Sequence, residues 1–556
     1  MPKAKAAIAA TALLAAHAIL RAADLPFSRG ELLNPWEIHR ELRVAAAAAP
    51  AVQEFFLSFL EYQDLVLFHP TLGYYSSGRV SFTQDYRTFP DALSPYFGEM
   101  VAQHIFDMWQ GMRKAGTLAA NEPFTIAEFG AGDGALAESI LNYADRRAAV
   151  GQVSDVGQVY DLPTGARSDE SGATWREFAR QIVYACYDRS AALSAQQSRR
   201  NARFGARFEA RPGDATNPTA TIAAGSLKGI VLSNELPDAF SVHKVVLAPS
   251  GSAEVAFVAP VLSRTSWTKL EKDLPPPLQG RLKSEDRTIQ TRLFGRKRET
   301  TVYLSRSGFV ALLEALSSVA NYADKLNAIE FREIYVPIEA IPELAEHVRK
   351  YIPAYAYELA RGDKGFAAYI NLGEGRFIQG AGRILKAGYV VTIDYGSNWD
   401  GVSPIEFDHL RTYGPGTRRE RPDPYHSPTL NDITTDVNFS HVVEEGRLAG
   451  LRPVFFGSQH TLLTGTPVVL ATPPPERGDL IDADLQDYQA WVQSFYTWDV
   501  FKVLVQQKEN TDSAYVFPDT RAEPLSVRLE DLTPAQQATE QEIERKLRER
   551  LAISRQ

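Results

Sequence analysis

The sequence predicts a doubly wound α/β fold on three observations: a strand–glycine turn–helix unit near residue 130, further apolar runs of strand length, and helical segments alternating with them. The first unit is "FTIAEFGAGDGALAESIL" (124–141). Its first six residues suit a strand, and Leu136, Ile140 and Leu141 recur at helical spacing. A second strand is expected at "QIVYACYD" (181–188), after a polar stretch at 152–172 that reads as a loop insertion. The third, "GIVLSNE" (229–235), is an unbroken apolar run of the kind buried on both faces of a parallel sheet. Strand-like segments follow at "HKVVLAP" (243–249) and "GYVVTIDYG" (388–396).

Around this sheet the chain divides into six stretches. Residues 1–35 read as a leader or N-terminal extension, 36–120 as a helical N-terminal region on the substrate side, and 121–261 as the Rossmann-like core. Residues 262–380 read as an insertion or lid of helical and mixed character, including one helix across "SGFVALLEALSSVANYADKL" (307–326). Its basic cluster Arg296, Lys297, Arg298 reads as a solvated loop. Residues 381–471 complete the core sheet. Beyond "TPPPERGD", 472–556 form a C-terminal extension ending in a helix, with Thr533 as N-cap, Pro534 at the first helical position and Gln536 closing a capping box. Ile543, Leu547 and Leu551 would give that helix one apolar stripe.

Composition narrows the function. A net charge of −9 over 556 residues argues against a nucleic-acid partner, which requires a basic face. The one cysteine, Cys186, excludes an internal disulfide framework and a cysteine-based zinc site, and reads as a small core residue. His426 and His460 lack ligand-spaced partners, so no metal is expected. The alanine-rich start is too short and too weakly apolar for a membrane span. A cytoplasmic location is expected, with a leader directing export or organelle import as the alternative.

The chemistry concentrates at strand ends. A glycine turn opening a helix presents free backbone N–H groups to a ligand. "GAGDGA" satisfies the dinucleotide pattern G-x-G-x-x-A, so its glycines alone leave a dinucleotide open. Asp133 within the turn would repel a pyrophosphate, whereas S-adenosylmethionine carries an ammonium and a sulfonium. Asp188 ends the second strand, where a carboxylate matches two vicinal ribose hydroxyls; a helix cap is the alternative. "SNELPDAFSVHK" ends the third strand and sets Asn234, Glu235 and Asp238 on the same rim, either to orient a cationic nitrogen and accept its proton or as a capped turn.

The pattern Glu128-x-Gly130-x-Gly132-x-Gly134 resembles motif I of class I S-adenosylmethionine-dependent methyltransferases, and an ordered series of motifs resembles the MidA-like methyltransferases within that class. These are "HPTLGYY" (69–75), "DYRTFPDALSPYFGE" (85–99), "YDRSAALSAQQ" (187–197), "SNELPDAFSVHK" (233–244), "TIDYG" (392–396), "DITTDVNF" (432–439) and "FGSQHTLL" (456–463). Asp188 stands where the family usually has glutamate, Ser241 where proline is usual, and Phe89 where a small residue is usual. The family includes the mitochondrial complex I assembly arginine methyltransferase. The resemblance implies a class I methyltransferase sheet with a helical insertion, S-adenosylmethionine as cofactor, and a protein arginine as acceptor.

The expectation is therefore a methyltransferase acting on a protein nitrogen. Glu128 would contact the methionine end of the cofactor. Gly130, Gly132, Asp133 and Gly134 would form the turn that accommodates it, and Asp188 would hold the ribose. Glu235 would clamp the acceptor and assist proton loss, with Asp238 and Asn234 beside it. Asp394 and Tyr395 would either line the site or form a buried turn, and Asp432, Thr434 and Asp436 would begin a capped helix with an edge toward substrate. His69 and Gly73–Tyr75 would shape the substrate entrance or pack as an aromatic cluster. A non-catalytic assembly protein and a nicotinamide-dependent oxidoreductase are the rival readings.

Overall fold

The structure is a computed structural model; it describes residues 41–43, 46–78, 96–149, 168–247, 253–284, 287–293, 296–350, 367–397, 409–414, 423–459, 501–515 and 517. The leader, Phe89 and most of the 85–99 motif, the bulk of the 152–172 stretch, the proline run at 472–479, His460 and the expected C-terminal helix lie outside them.

Among the described residues, seven strands lie side by side in the central sheet: β1 (Phe124–Phe129), β2 (Ile182–Asp188), β3 (Phe208–Pro212), β4 (Leu227–Asn234), β5 (Leu385–Ser397), β6 (Leu451–Ser458) and β7 (Phe501–Lys508), and an eighth, the two-residue strand Val437–Asn438, pairs with the end of β5. Their spatial order is β6-β7-β5-β4-β1-β2-β3. β5, β4, β1, β2 and β3 run parallel, and β7 is antiparallel to both β5 and β6. The apolar runs of β1, β2 and β4 are buried on both faces, as parallel strands covered by helices require. One face packs on helices Tyr96–Ala115, Ala135–Ala149 and Ser168–Gln181, where Trp109, Phe178 and Trp175 interlock with Phe106. The other packs on Leu372–Ile384 and Phe439–Leu448 through Phe377, Ile378, Val442 and Val443.

The expected core boundary at 261/262 falls inside a strand, and that strand is not in the core sheet. Ala253–Ser263 is the centre of a second, mostly antiparallel sheet, paired with Glu330–Pro337, His243–Leu247 and Arg296–Tyr303. Nine consecutive buried residues (254–262) show why: this strand is covered on both sides, by apolar clusters of its own. "HKVVLAP" therefore leaves the core rather than extending it. Arg296, Lys297 and Arg298 lie in a strand, not a loop. The long helix expected at 307–326 breaks into Arg306–Ser317 and Tyr322–Leu326, because Asn321 takes a left-handed φ of 58° between them. "DITTDVNF" does not begin a helix at Asp432 either: Asp432–Thr435 is a strand, and the following helix is capped by Asn438, whose Oδ1 accepts the His441 N–H at 3.2 Å.

The region 472–556 is also more than an extension. β7 comes from it and fills the gap between β5 and β6 with a continuously buried run, Phe501 to Gln507.

Candidate active site

The carboxyl ends of β1, β2 and β4 open into one cleft, the place where a doubly wound sheet binds ligands. Eight of the residues expected at the site line it: Glu128, Gly130, Gly132, Asp133, Asp188, Asn234, Glu235 and Asp238. Gly134 is not among the lining residues. A Cβ there would come within 2.7 Å of Asn201 Nδ2 and 3.2 Å of Gln197 Cα, so this glycine lets the helix Ala191–Arg200 close against the turn. Its φ of +86° adds to the constraint. Gly134→Ala should cost about 1–3 kcal/mol of stability, read as a lower melting temperature by circular dichroism.

Gly130 adopts φ 71° at the end of β1, and a Cβ on it would lie 2.6 Å from Leu236 Cδ1. The turn's acid behaves differently from expectation. Asp133 Oδ1 accepts the Ala135 N–H at 3.1 Å, and Oδ2 is engaged by Arg200. Its charge is compensated, so Asp133 does not carry the discrimination against a pyrophosphate.

The buried acids carry it. Glu128 Oε2 accepts the Tyr184 hydroxyl at 2.8 Å, and burial pushes its carboxyl up to about 7. Asp188 Oδ1 accepts the Ser190 N–H at 2.8 Å, while Ser190, not Asp188, caps the next helix; burial raises Asp188 to about 6. Asp238 is likewise raised by burial to about 6 and Asp432 to about 7. Asp394 lies in β5 rather than after it and binds the Asp238 N–H at 3.3 Å; burial, reinforced by Asp238 and Glu235, holds it well above the carboxylate range. It supports the rim from beneath and is not among the cleft-lining residues.

The sign of the pH effect follows. A carboxyl raised in the folded state contributes stability that is complete below its unfolded pKa and lost as pH rises through the folded value. Glu128, raised from 4.5 to about 7, destabilises the unliganded protein at pH 8. Glu128→Gln should therefore melt higher than wild type at pH 8, the gap shrinking as pH falls from about 7 toward 4.5. Differential scanning fluorimetry across that range reads it, and a gap independent of pH would contradict the assignment.

At the end of β4, Asn234 Nδ2 donates to Glu235 Oε1 at 3.3 Å, while the buried Oδ1 of Asn234 has no hydrogen-bond partner among the described residues. Glu235 holds a φ of 48°, and its N–H donates to Ile393 O at 2.8 Å.

The cleft also gathers residues that sequence reasoning passed over. Asp214 and Thr216 follow β3, with Asp214 Oδ1 accepting the Thr216 N–H at 2.8 Å. β3 is a half-exposed edge strand, "FEARP", with no apolar run to announce it. Arg189 sits 4.7 Å above the Phe68 ring and pairs with Asp64 at 3.0 Å. Phe68 stacks on Tyr75 with centroids 5.6 Å apart, so the "HPTLGYY" turn does reach the cleft.

This site fits a positively charged nucleoside ligand. Buried carboxylates that pair with no cation among the described residues disfavour an anionic dinucleotide, and the glycines admit close approach. Strand order and glycine turn match the sheet of class I S-adenosylmethionine-dependent methyltransferases, with that molecule as cofactor. Residues 169–456, just over half of the chain, match the family described as "Putative S-adenosyl-L-methionine-dependent methyltransferase", and the chain belongs to that family.

Among solved structures it is similar to a "likely methyl transferase from Burkholderia thailandensis bound to S-adenosyl-homocysteine", 19% identical, with a TM-score of 0.49 over 91% of this chain and 95% of that one. A native structure of an uncharacterized protein from the same organism gives 19% identity and a TM-score of 0.49, covering 92% and 96%. A "putative sarcosine dimethylglycine methyltransferase from Galdieria sulphuraria" is 9% identical, with a TM-score of 0.25, covering 72% and 85%. No curated protein sequence matches the chain. Among the described residues no helix is long and apolar enough to cross a membrane, and no group of three or more His, Cys, Asp or Glu could hold a metal ion.

Proposed function

We propose that this methyltransferase acts on a protein nitrogen, with the arginine guanidinium as the leading acceptor. The observation that carries the reading is the rim of β4, where Glu235, Asp238 and the unpartnered Asn234 Oδ1 share one cleft with the glycine turn. The resemblance to MidA-like methyltransferases supports the same acceptor. S-adenosylmethionine, when bound, supplies an electrophilic methyl carbon on a sulfonium. Glu128 faces its methionine end, Asp188 takes the ribose hydroxyls, and the backbone at Gly130 and Gly132 admits it closely. Asp133 and Gly134 keep that turn in shape.

Glu235 fixes the guanidinium by charge and geometry and takes up the proton that the nitrogen loses on methylation, with Asp238 next to it. Asn234 orients Glu235 through its amide. Most of the rate enhancement then comes from alignment and exclusion of water rather than covalent participation.

Incubation of the full chain with methyl-labelled S-adenosylmethionine and a cell lysate, followed by acid hydrolysis of the protein fraction, tests the acceptor. Labelled methylarginine is the expected product. Label confined to lipids or small molecules would overturn the protein reading, and cofactor binding with no label would favour a non-catalytic assembly role.

A further inference from the structure

"DITTDVNF" contains two acids, Asp432 and Asp436, that the fold treats oppositely. Asp436 is neutralised: Arg411 and His409 both engage it, His409 Nδ1 at 2.8 Å from Oδ2, and although burial works against it these partners hold it below the usual carboxylate range. Asp432 is more enclosed still, only 2% exposed, yet no basic side chain among the described residues pairs with it. Its oxygens accept one hydrogen bond each, from the Tyr75 hydroxyl at 2.8 Å and from the Ile433 N–H at 2.9 Å, which leaves lone pairs on both. Burying a carboxylate without a cation is costly, and a chain that supplies Arg411 to one acid of the motif withholds a cation from the other.

The location supplies the reason. Asp432 lines the cofactor cleft together with Glu235 and Asp238, and its strand packs against the turn Pro237–Ala239. Asn234, 9% exposed on the same cleft, has an Oδ1 with no hydrogen-bond partner among the described residues, which independently marks a place for a donor there. Tyr75 comes from the N-terminal turn that returns along the end of helix Phe59–Phe68, its N–H bound to Leu67 O at 2.9 Å. Stacking on Phe68 holds the phenol toward Asp432.

We propose that Asp432, held in position by Tyr75, is an acceptor-binding carboxylate that selects a cationic side chain, sharing the wall of the methyl-transfer cleft with Glu235 and Asp238. This rests on the reading of the site as one for a cationic protein nitrogen. A guanidinium has donors enough to engage Asp432 on one edge and Glu235 on another.

The test uses the full chain loaded with S-adenosyl-homocysteine and four probes: N-acetyl-arginine methylamide, its neutral citrulline isostere, and the N-acetyl-lysine and N-acetyl-N-ε-acetyl-lysine methylamides. Ligand-observed NMR titration should show wild type binding the arginine probe at least tenfold tighter than citrulline. Asp432→Asn should abolish that preference, and Tyr75→Phe should reduce it about threefold. Unchanged S-adenosyl-homocysteine affinity in both variants reports an intact fold and cofactor site. An undiminished preference for arginine in Asp432→Asn would overturn the role of Asp432 while leaving the arginine reading in place. A preference for lysine over its acetylated form that vanishes in Asp432→Asn, with no preference of wild type for arginine over citrulline, would uphold Asp432 and overturn arginine. Wild type blind to charge in both pairs would overturn both. If Asp432→Asn loses cofactor affinity, Asp432→Glu, which keeps the charge, decides: the proposal requires it to retain the arginine preference.

Discussion

Glu235→Gln should lower the rate of methyl transfer by about 10³-fold and leave S-adenosylmethionine affinity within a few-fold of wild type, the magnitude expected when a proton acceptor is lost from the transition state alone. Glutamine keeps the shape and the hydrogen bond from Asn234 Nδ2, but it neither attracts a guanidinium nor takes its proton. The backbone makes the comparison clean. Glu235 sits at a φ of 48°, outside the range a side-chain-bearing residue prefers, and is pinned there by its N–H to Ile393 O in β5. Such strain costs about 1–3 kcal/mol and is retained where the surroundings over-determine it. Glu235→Gly relieves it, so that variant should melt no lower than wild type although transfer is lost. Initial rates of label incorporation, calorimetric cofactor titrations and thermal melts read all three quantities. A Glu235→Gln rate within threefold of wild type would move the proton-accepting role to Asp238.

The second large effect is on the cofactor. Asp188→Asn should weaken S-adenosylmethionine binding about 10²-fold, because two hydrogen bonds from hydroxyls to one charged carboxylate together contribute about 3 kcal/mol. The same substitution should raise the melting temperature of the unliganded protein at pH 8. Burial lifts the Asp188 carboxyl from 3.8 to about 6, so its charge opposes folding until a ligand arrives. Asparagine can still accept the Ser190 N–H that Asp188 Oδ1 binds. Opposite signs for affinity and stability distinguish a ligand-binding carboxylate from a structural cap, whose loss would lower both. Calorimetry and scanning fluorimetry on one preparation suffice, and a cofactor affinity within threefold of wild type would remove Asp188 from the ribose.

Legibility followed range in the chain. The strand–turn–helix at 124–141 could be read because alternation, glycine placement and helical spacing all act over a few residues. The acids ending β2 and β4 were visible for the same reason: an apolar run that stops at a carboxylate marks a strand end, and strand ends are where this architecture binds. β3 was not visible, since an edge strand needs no apolar run, and Asp214 went unnoticed with it. Asp133 looked decisive in sequence because its neutralising partner, Arg200, belongs to another helix 67 positions on.

By itself the sequence determined the glycine turn, the acids at the strand ends and the kind of sheet that presents them, since each rests on local backbone geometry and burial pattern. Tertiary structure alone decided that β7 closes the sheet between β5 and β6, that 253–263 belongs to a separate, mostly antiparallel sheet, and that Asp432 meets Tyr75 in the wall of the cleft. Which strand fills a gap depends on the edges left open by all the others. Whether a buried acid is neutralised depends on cations supplied from distant elements, as Arg411 is to Asp436 and no described residue is to Asp432. Both are properties of the assembled chain, because pairing and compensation of charge are settled by proximity in space, which no local pattern encodes.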